Sequence, residues 1–204
     1  MTTLTLYTNP MSRGRIARWM LEEVGEPYET VLLDYGTTMK APEFLAINPM
    51  GKVPTLKAGD AIVTEAAAIC AYLADAFSRK NLAPPLDDRG AYYRWLFFGA
   101  GPVEAAVTNK SQGFISDKKQ MLGYGSFEDT MTALEHGISR TEYICGDQFT
   151  AADVYVGSQI GWGMMFGTID KRPAFEAYVA RLRARPAARR ASEIDDALMP
   201  RKKP

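Results

Sequence analysis

Side chains that bind metals or carry redox chemistry are scarce in this chain of 204 residues. It contains one histidine, His136, and two cysteines, Cys70 and Cys145. A single histidine without a cysteine cluster provides no zinc-binding signature, so no metal site is expected, and His136 is interpreted as a surface or packing residue of a helix. The cysteines lie far apart in the sequence, and no disulfide is expected between them. Cys70 lies in an apolar helical segment and is predicted to be a buried core thiol.

The chain also lacks an excess of charge of either sign. Lys plus Arg and Asp plus Glu both number 24. Because there is no net charge, no long-range field draws the protein to nucleic acid or to an anionic membrane. The expected partner is small or neutral.

Long apolar runs are missing as well. Glu65, Asp75 and several glycines interrupt the most apolar segments, well short of the roughly 20 residues that a membrane span needs. Residues 1–10 lack the basic start and apolar core of a secretory signal. These absences predict a soluble cytoplasmic protein with no membrane partner.

Strand and helix signals alternate over the first 80 residues. The pattern predicts strands at residues 4–8 and 28–33, two short strands within residues 53–64 around a turn at Gly59 and Asp60, and helices at residues 16–24 and 66–77. A right-handed crossover makes the first two strands parallel, and the hairpin forms the other edge. The order therefore predicts a mixed sheet with helices on its faces.

A change of composition separates this part from the rest of the chain. In SRKNLAPPLDDRG, residues 78–90, paired prolines and charges are typical of an exposed linker. Beyond it strand signals disappear. Helical spacing is found at residues 87–109, 117–143, 150–165 and 172–185. We therefore predict an α/β domain at residues 1–80 and an all-α domain at residues 87–204.

One helix start in the second part is specified in detail. In FTAADV, Thr150 is placed as the N-cap and Asp153 as its reciprocal partner in a capping box. This is a folding signal, and the loss of either side chain is expected to reduce stability by about 1 kcal/mol or more.

Two segments of the first domain combine features of ligand binding. In NPMGKVPTL, Val53 and Pro54 open a strand, where proline is confined to edges, strand starts or cis turns. A cis proline can present the main chain of the residue before it to an extended peptide ligand, whereas a trans proline would only start an edge strand. In VTEAAAI, Glu65 precedes a helix whose first N–H groups, near Ala66, attract a carboxylate. The alternative is an acidic residue that only favours a helix start.

A third segment, MSRGRIARWM, places Ser12 at the joint between the first strand and the first helix. Serine is a favoured N-cap, so the local sequence alone favours a capping role. Arg13 and Arg15 would add positive potential there, but arginines at a helix start are ordinary surface residues and neither is assigned a role.

Together these segments resemble the cytosolic glutathione transferases over nearly the whole chain. The motifs, in the order and spacing of that family, are LYTNPMSRGRIARWMLEEVGEPYE, INPMGKVPTL, TEAAAICAYLAD, GDQFTAADV and RPAFEAYVARLRARPAARRA. The resemblance implies a thioredoxin-like N-terminal domain that binds glutathione, followed by an all-helical C-terminal domain.

The resemblance also implies roles in glutathione binding. Lys52, Val53 and Pro54 match the cis-proline loop, in which the main chain of Val53 would pair with the cysteinyl part and Lys52 would approach the glycine carboxylate. Glu65 and Ala66 match the positions that hold the γ-glutamyl end. Ala66 departs from the family pattern, because Ser or Thr is common there, and a hydroxyl contact is missing.

Ser12 is the catalytic residue that the resemblance implies. It follows Tyr7 by five residues, where serine-type members place the side chain that faces the glutathione sulfur. Tyr7 is then an ordinary strand side chain. A hydroxyl donor to an anion supplies about 1.5 to 3 kcal/mol and a helix N-terminus about 0.3 to 1. These contributions match the roughly 2.7 kcal/mol that lowers a thiol pKa by about 2 units.

The expected protein is therefore a homodimeric, serine-type glutathione transferase of the bacterial-like kind. Glutathione is its co-substrate, no other cofactor is expected, and the second substrate is a small hydrophobic electrophile. The family places the electrophile pocket at the first helix of the second domain, where most of the aromatic residues Tyr92, Tyr93, Trp95, Phe97 and Phe98 are interpreted as core. The basic residues of RLRARPAARRA are interpreted as a solvated helix face.

Two alternatives remain at this point. A glutathione-dependent thiol-disulfide reductase needs a cysteine near the start of the first helix, where this chain has Asn9 to Ser12. A binding or scaffolding module without catalysis would retain the fold, and Ala66 gives that alternative some support.

Overall fold

A computed structural model describes residues 3–114 and 116–199. These residues form two compact units, one of residues 3–80 with 184–199 and one of residues 81–114 with 116–183. The division into folding domains at residues 1–80 and 87–204 stays a prediction. In space, the last helix belongs to the first unit.

The elements follow the predicted change from mixed to helical structure. The strands are β1 (Leu4–Thr8), β2 (Glu29–Leu32), β3 (Thr55–Ala58) and β4 (Ala61–Thr64). The α-helices are α1 (Gly14–Val24), α2 (Pro42–Leu45), α3 (Ala66–Ala76), α4 (Gly90–Phe98), α5 (Glu104–Ser111), α6 (Phe127–Ile138), α7 (Ala151–Phe166), α8 (Pro173–Arg183) and α9 (Pro186–Ala197).

The four strands form one mixed sheet in the order β2-β1-β3-β4. β1 and β2 are parallel, whereas β3 is antiparallel to both β1 and β4. This arrangement confirms the predicted crossover and hairpin. The thioredoxin-like fold and the mostly helical second part are confirmed with it.

The core of the first unit lies between the sheet and the apolar faces of α1 and α3. Its fully buried side chains include Leu4, Leu6, Ile16, Met20, Leu21, Leu56, Ile69 and Leu73. Cys70 is buried among them, as predicted. α1 ends at Gly25, whose φ of 69° is the left-handed conformation that glycine adopts without strain.

One predicted helix of the second unit contains an irregular turn, and another is shorter than the sequence indicated. A π-helical turn at Gly99–Val103 contains Pro102 and separates α4 from α5, because proline has no N–H to continue the regular hydrogen-bond pattern. The segment predicted at residues 117–143 contains α6 only from Phe127, since Gly125 has a φ of 68°, which no α-helix contains. His136 is exposed on α6, as predicted.

The aromatic residues of α4 follow its two faces. Tyr92 and Trp95 are buried, Phe98 is half-buried, and Tyr93 and Phe97 are exposed. The prediction that most of them belong to the core is therefore wrong. Helical periodicity turns alternate members of an aromatic run away from the core.

The capping box of α7 is confirmed. Asp153 is fully buried, and its carboxylate accepts hydrogen bonds from the Thr150 N–H at 2.8 Å, the Ile144 N–H at 2.8 Å and the Tyr178 hydroxyl at 2.7 Å. Burial raises the pKa of Asp153, although these hydrogen bonds act in the opposite direction. The Asp153 carboxylate therefore joins the start of α7 to Tyr178 of α8 and to the loop that contains Ile144.

The C-terminal basic segment differs from its predicted role. Pro186 starts a separate helix, α9, because proline is suited to the first helical position. Arg185 forms a bidentate pair with Glu23 of α1, with N–O distances of 2.7 and 2.8 Å, and Arg190 pairs with Glu22 at 3.2 Å. The prediction of a solvated helix face is therefore wrong for Arg185, which is half-buried before α9, whereas Arg190 lies on α9 and is exposed.

A buried ion pair also joins α1 to α9. Arg18 Nε donates to Asp195 Oδ1 at 2.8 Å, and both side chains are only 1 % exposed. Arg18 Nη1 donates to the Tyr28 hydroxyl at 3.1 Å and to Thr30 Oγ1 at 3.2 Å. Burial lowers the pKa of Arg18, but the interactions with Asp195 and Tyr28 outweigh it and raise the pKa overall.

None of the helices in the described ranges combines the length and the apolar character of a membrane span.

Candidate active site

The strand register brings the predicted segments together. Tyr7 of β1 is paired with Thr55 of β3, which in turn is paired with Thr64 of β4. These residues form one row across neighbouring strands, which lie about 4.8 Å apart. Three segments therefore leave the sheet at the same end. They are the segment after Tyr7, the segment before Thr55 and the segment after Thr64. They contain Ser12, Lys52 to Pro54, and Glu65 with Ala66.

Ser12 is half-buried just before α1, and its hydroxyl makes two hydrogen bonds within its own loop. Ser12 Oγ donates to the Asn9 carbonyl at 2.7 Å and accepts from the Gly14 N–H at 2.9 Å. The second bond closes a turn just before α1, whose N-cap position is Arg13 and has no side-chain cap, so the N-cap role that the local sequence favours for Ser12 is wrong. This bond also orients the hydroxyl oxygen at the positive end of the helix dipole.

Gly14 is required by the close approach of α1 to the end of β1. A Cβ atom at this position would lie 1.9 Å from Thr8 Oγ1 and 2.9 Å from Ser12 Oγ. Thr8 is fully buried, and its hydroxyl has no hydrogen-bond partner within the described part of the chain. Any side chain at residue 14 would therefore displace the loop that carries Ser12.

The loop before β3 presents a free main-chain segment. The Val53–Pro54 peptide bond is cis. Among the described residues, neither the N–H nor the carbonyl group of Val53 has a hydrogen-bond partner. Lys52 is exposed beside it.

Two asparagines that the sequence analysis did not single out shape these loops. Asn9 Oδ1 accepts from the Met11 N–H at 2.9 Å, and Asn48 Oδ1 accepts from the Met50 N–H at 3.1 Å. Each amide nitrogen donates to a carbonyl oxygen, Asn9 to Leu33 at 2.8 Å and Asn48 to Lys52 at 2.9 Å. The signal is visible in the sequence, because both turns have the tripeptide Asn-Pro-Met.

The start of α3 completes the group. Glu65 is exposed and precedes α3 with φ 66° and ψ 120°, an unusual conformation for a residue with a side chain. The N–H groups of Ala66 and Ala67, at the first turn, have no acceptor among the described residues. Free N–H groups at a helix start are suited to a carboxylate.

Comparison with known proteins identifies the family of this chain. Residues 2–75 match the N-terminal domain of glutathione S-transferases. Glutathione S-transferase F10 of Arabidopsis thaliana is 30 % identical over 164 residues, which cover 74 % of this chain and 76 % of that protein. The chain belongs to the glutathione S-transferase family.

Bacterial relatives extend the match over nearly the whole chain. Glutathione S-transferase GstA of Escherichia coli O157:H7 is 24 % identical over 201 residues, 96 % of this chain and 97 % of that protein. The glutathione transferase structure from Methylococcus capsulatus has a TM-score of 0.80 at 27 % identity and covers 96 % of this chain and 100 % of its own. A sphingomonad glutathione S-transferase structure complexed with glutathione has a TM-score of 0.77 at 28 % identity, over 94 % of this chain and 98 % of its own. The chain is thus an enzyme of the glutathione transferase class.

Tyr7 lies at the end of β1 in this glutathione transferase and packs into a small apolar cluster. Its ring centroid is 5.6 Å from that of Phe44, and the cluster also contains Leu33, Met39 and Val53. This packing agrees with the interpretation of Tyr7 as a strand side chain.

Neither cysteine of this glutathione transferase has the environment of a reactive thiol. Burial raises the pKa of Cys70 far above its usual range. Cys145, in the second unit, is half-buried, and burial together with the Asp153 charge raises its pKa to about 12. A thiolate at the start of α1, which a thiol-disulfide reductase requires, is not provided by either residue.

Alkylation kinetics test this conclusion. At pH 8, Cys145 in the native protein is expected to react with iodoacetamide more than about a hundredfold more slowly than a free cysteine, because burial and the Asp153 charge raise its pKa from the usual 8.5 to about 12. Mass spectrometry of timed samples measures the rate, with urea-unfolded protein as the control. Rapid modification of the native protein would show that the thiol is more accessible than its surroundings indicate.

Proposed function

We propose that this chain conjugates glutathione to small hydrophobic electrophiles by stabilising the glutathione thiolate. Ser12 donates a hydrogen bond to the sulfur. The main chain of Val53, beside Pro54, pairs with the cysteinyl part, and Lys52 approaches the glycine carboxylate. The γ-glutamyl end is held at the start of α3 by Glu65 and the Ala66 N–H.

The observation that carries the proposal is the single row of Tyr7, Thr55 and Thr64 across the sheet. It supports the placement of a hydroxyl, an unpaired main-chain segment and a free helix start at one end of three neighbouring strands. An extended tripeptide with a carboxylate at each end and a thiol in the middle complements such a set. Glutathione has this chemistry.

The hydrogen bonds of Ser12 are compatible with a switch to the sulfur. The Asn9 carbonyl accepts not only from Ser12 Oγ but also from the Ser12 N–H, at 3.0 Å. When the hydroxyl hydrogen turns towards a bound thiolate, this carbonyl therefore keeps one donor. The Gly14 N–H continues to donate to Ser12 Oγ. This bond polarises the hydroxyl and strengthens it as a donor.

A glutathione transferase that binds glutathione without activating its thiol is the second candidate, and two observations favour it. The Ser12 hydroxyl is satisfied within its own loop, and Ala66 provides no hydroxyl to the γ-glutamyl end. Such a protein would bind glutathione as the neutral thiol. The protonation state of the bound sulfur therefore separates the two functions.

An ultraviolet titration of the glutathione complex measures that protonation state. In the enzyme, the pKa of the bound thiol is expected to lie about 2 units below its value in free glutathione, because Ser12 and the helix start together favour the anion. Conjugation of a chlorodinitrobenzene electrophile, followed by absorbance, is expected to rise with the same pKa. Binding in calorimetry without a change in thiol pKa would identify the second candidate instead.

Three broader features complete the proposal because they are typical of the family. The second substrate is a small hydrophobic electrophile, the protein forms a homodimer, and it is located in the cytoplasm. Glutathione acts as co-substrate, and no other cofactor takes part.

A further inference from the structure

Arg15 connects the Ser12 loop to the C-terminal helix. Its Nε donates to the carbonyl oxygen of Pro10 at 2.6 Å, and its Nη2 donates to Asp196 Oδ1 at 2.7 Å. Pro10 lies in the loop between β1 and α1, whereas Asp196 lies in the last turn of α9. One guanidinium thus joins the Pro10 segment to Asp196, which lies 181 residues after Arg15 in the sequence.

We propose that Arg15 and Asp196 are positioning residues for Ser12, so that α9 takes part in the site. The inference rests on the proposed role of Ser12 as the donor to the glutathione sulfur. It adds a requirement from the C-terminal helix, which lies outside the matched N-terminal domain of residues 2–75.

The geometry of the loop explains how a distant helix acts on Ser12. The Asn9 amide fixes the start of the loop on Leu33, and Arg15 holds the next carbonyl group, that of Pro10. The Asn9 carbonyl lies between these two attachments and accepts from the Ser12 N–H at 3.0 Å, a bond that holds Ser12 in place when its hydroxyl turns to the sulfur. A rotation of the Pro10 peptide would therefore move the hydroxyl.

Asp196 holds Arg15 in the conformation that reaches Pro10. The guanidinium is planar and presents its donors in a fixed fork, so a carboxylate on one side determines the direction of the other. The Arg15 side chain is 25 % exposed and Asp196 is 66 % exposed. The Arg15–Asp196 pair alone contributes little to global stability, which makes its effect on the loop separable from folding.

Positioning and charge predict opposite results for Asp196→Asn. If Arg15 acted only through its charge, removal of the neighbouring carboxylate charge would strengthen the positive potential and lower the pKa of the bound thiol. If Arg15 acts by holding Pro10, the same substitution frees the guanidinium and raises that pKa, because Ser12 is less well oriented. The proposal predicts the rise.

The experiment measures the pKa of the bound thiol by ultraviolet titration, together with kcat and KM. Arg15→Gln is expected to raise the pKa and to lower kcat about tenfold, and Asp196→Asn to act in the same direction with about a threefold loss. Arg15→Lys keeps the charge but lacks the planar set of donors that reaches two acceptors at once. Its thiol pKa and kcat are therefore expected to resemble those of Arg15→Gln. Asp196→Glu keeps a carboxylate, so its thiol pKa and its kcat are expected to stay close to those of the wild type. KM for glutathione is expected to change less than kcat.

Arg190→Gln is the matched control. It removes another ion pair between α9 and α1, that of Arg190 with Glu22, away from the Ser12 loop. Its thiol pKa and kcat are expected to equal those of the wild type. Equal losses in Arg190→Gln and Asp196→Asn would assign the effect to docking of α9 as a whole and would overturn the proposal.

Wild-type protein and Ser12→Ala, measured in the same series, separate this inference from the proposed function. A wild-type complex without a lowered thiol pKa would refute the function itself. A lowered pKa that depends on Ser12 but not on Asp196 would refute only the role of α9.

Discussion

Ser12→Ala is expected to raise the pKa of the bound glutathione thiol by about 1 to 2 units and to lower kcat near neutral pH by about 10- to 100-fold. The range follows from the 1.5 to 3 kcal/mol that a hydrogen bond to a charged group contributes. Binding of glutathione is expected to persist, since the main chain of Val53 and the start of α3 are unchanged. Ultraviolet titration and the pH dependence of kcat measure the two effects.

The pH profile has a defined sign. Because the substitution raises the pKa, the fraction of thiolate falls at neutral pH and recovers as the pH rises through the new pKa. The activity of Ser12→Ala is therefore expected to approach that of the wild type at alkaline pH. A loss that is uniform across the pH range would remove thiolate stabilisation from the role of Ser12.

Ser126→Ala provides a matched control for a purely structural role of the Ser12 hydroxyl. Ser126 is the N-cap of α6, and its hydroxyl accepts from the Asp129 N–H at 3.1 Å. Its loss is expected to reduce stability by about 1 kcal/mol without any change in the thiol pKa. If Ser12→Ala behaves in the same way, Ser12 only stabilises the turn that precedes α1.

Much of the fold can be predicted from local patterns in the sequence. β1, α1 and α3 were predictable because an apolar run or a helical stripe ends at a definite residue, such as Gly25. The limits of α4 and α6 were not, because apolar spacing continues across Pro102 and Gly125, where the backbone changes. Periodicity reports which faces are apolar, whereas these breaks depend on hydrogen-bonding capacity and φ.

Part of the candidate site could likewise be predicted from the sequence, and part could not. Ser12, the cis proline segment and the start of α3 are adjacent because of strand register, and the order of elements already predicted that sheet. Arg15 was assigned no role, since its two acceptors are Pro10, five residues before it, and Asp196, near the other end of the chain. Charge composition gives no information on such pairing. The basic residues of RLRARPAARRA were interpreted as solvated for the same reason.

Removal of Asp195 is expected to have the largest effect on stability. Asp195→Ala leaves the Arg18 charge without its carboxylate partner at a site where only 1 % of the side chain is exposed. The loss of one partner of a buried pair destabilises a protein by about 3 to 5 kcal/mol, because an uncompensated charge remains away from water. Urea unfolding, followed by circular dichroism and by proteolysis of α9, measures the change.

Neighbouring and paired substitutions decide whether burial is the cause. Asp196→Asn removes an adjacent but exposed carboxylate and is expected to reduce stability by less than about 1 kcal/mol. Arg18→Met combined with Asp195→Leu removes both buried charges and is expected to recover most of the loss, because apolar side chains of similar volume replace the pair without desolvated charge. If the double variant is as unstable as Asp195→Ala, the pair stabilises the attachment of α9 through its geometry. Recovery would instead show that the unpaired charge of Arg18 is what the fold cannot accommodate.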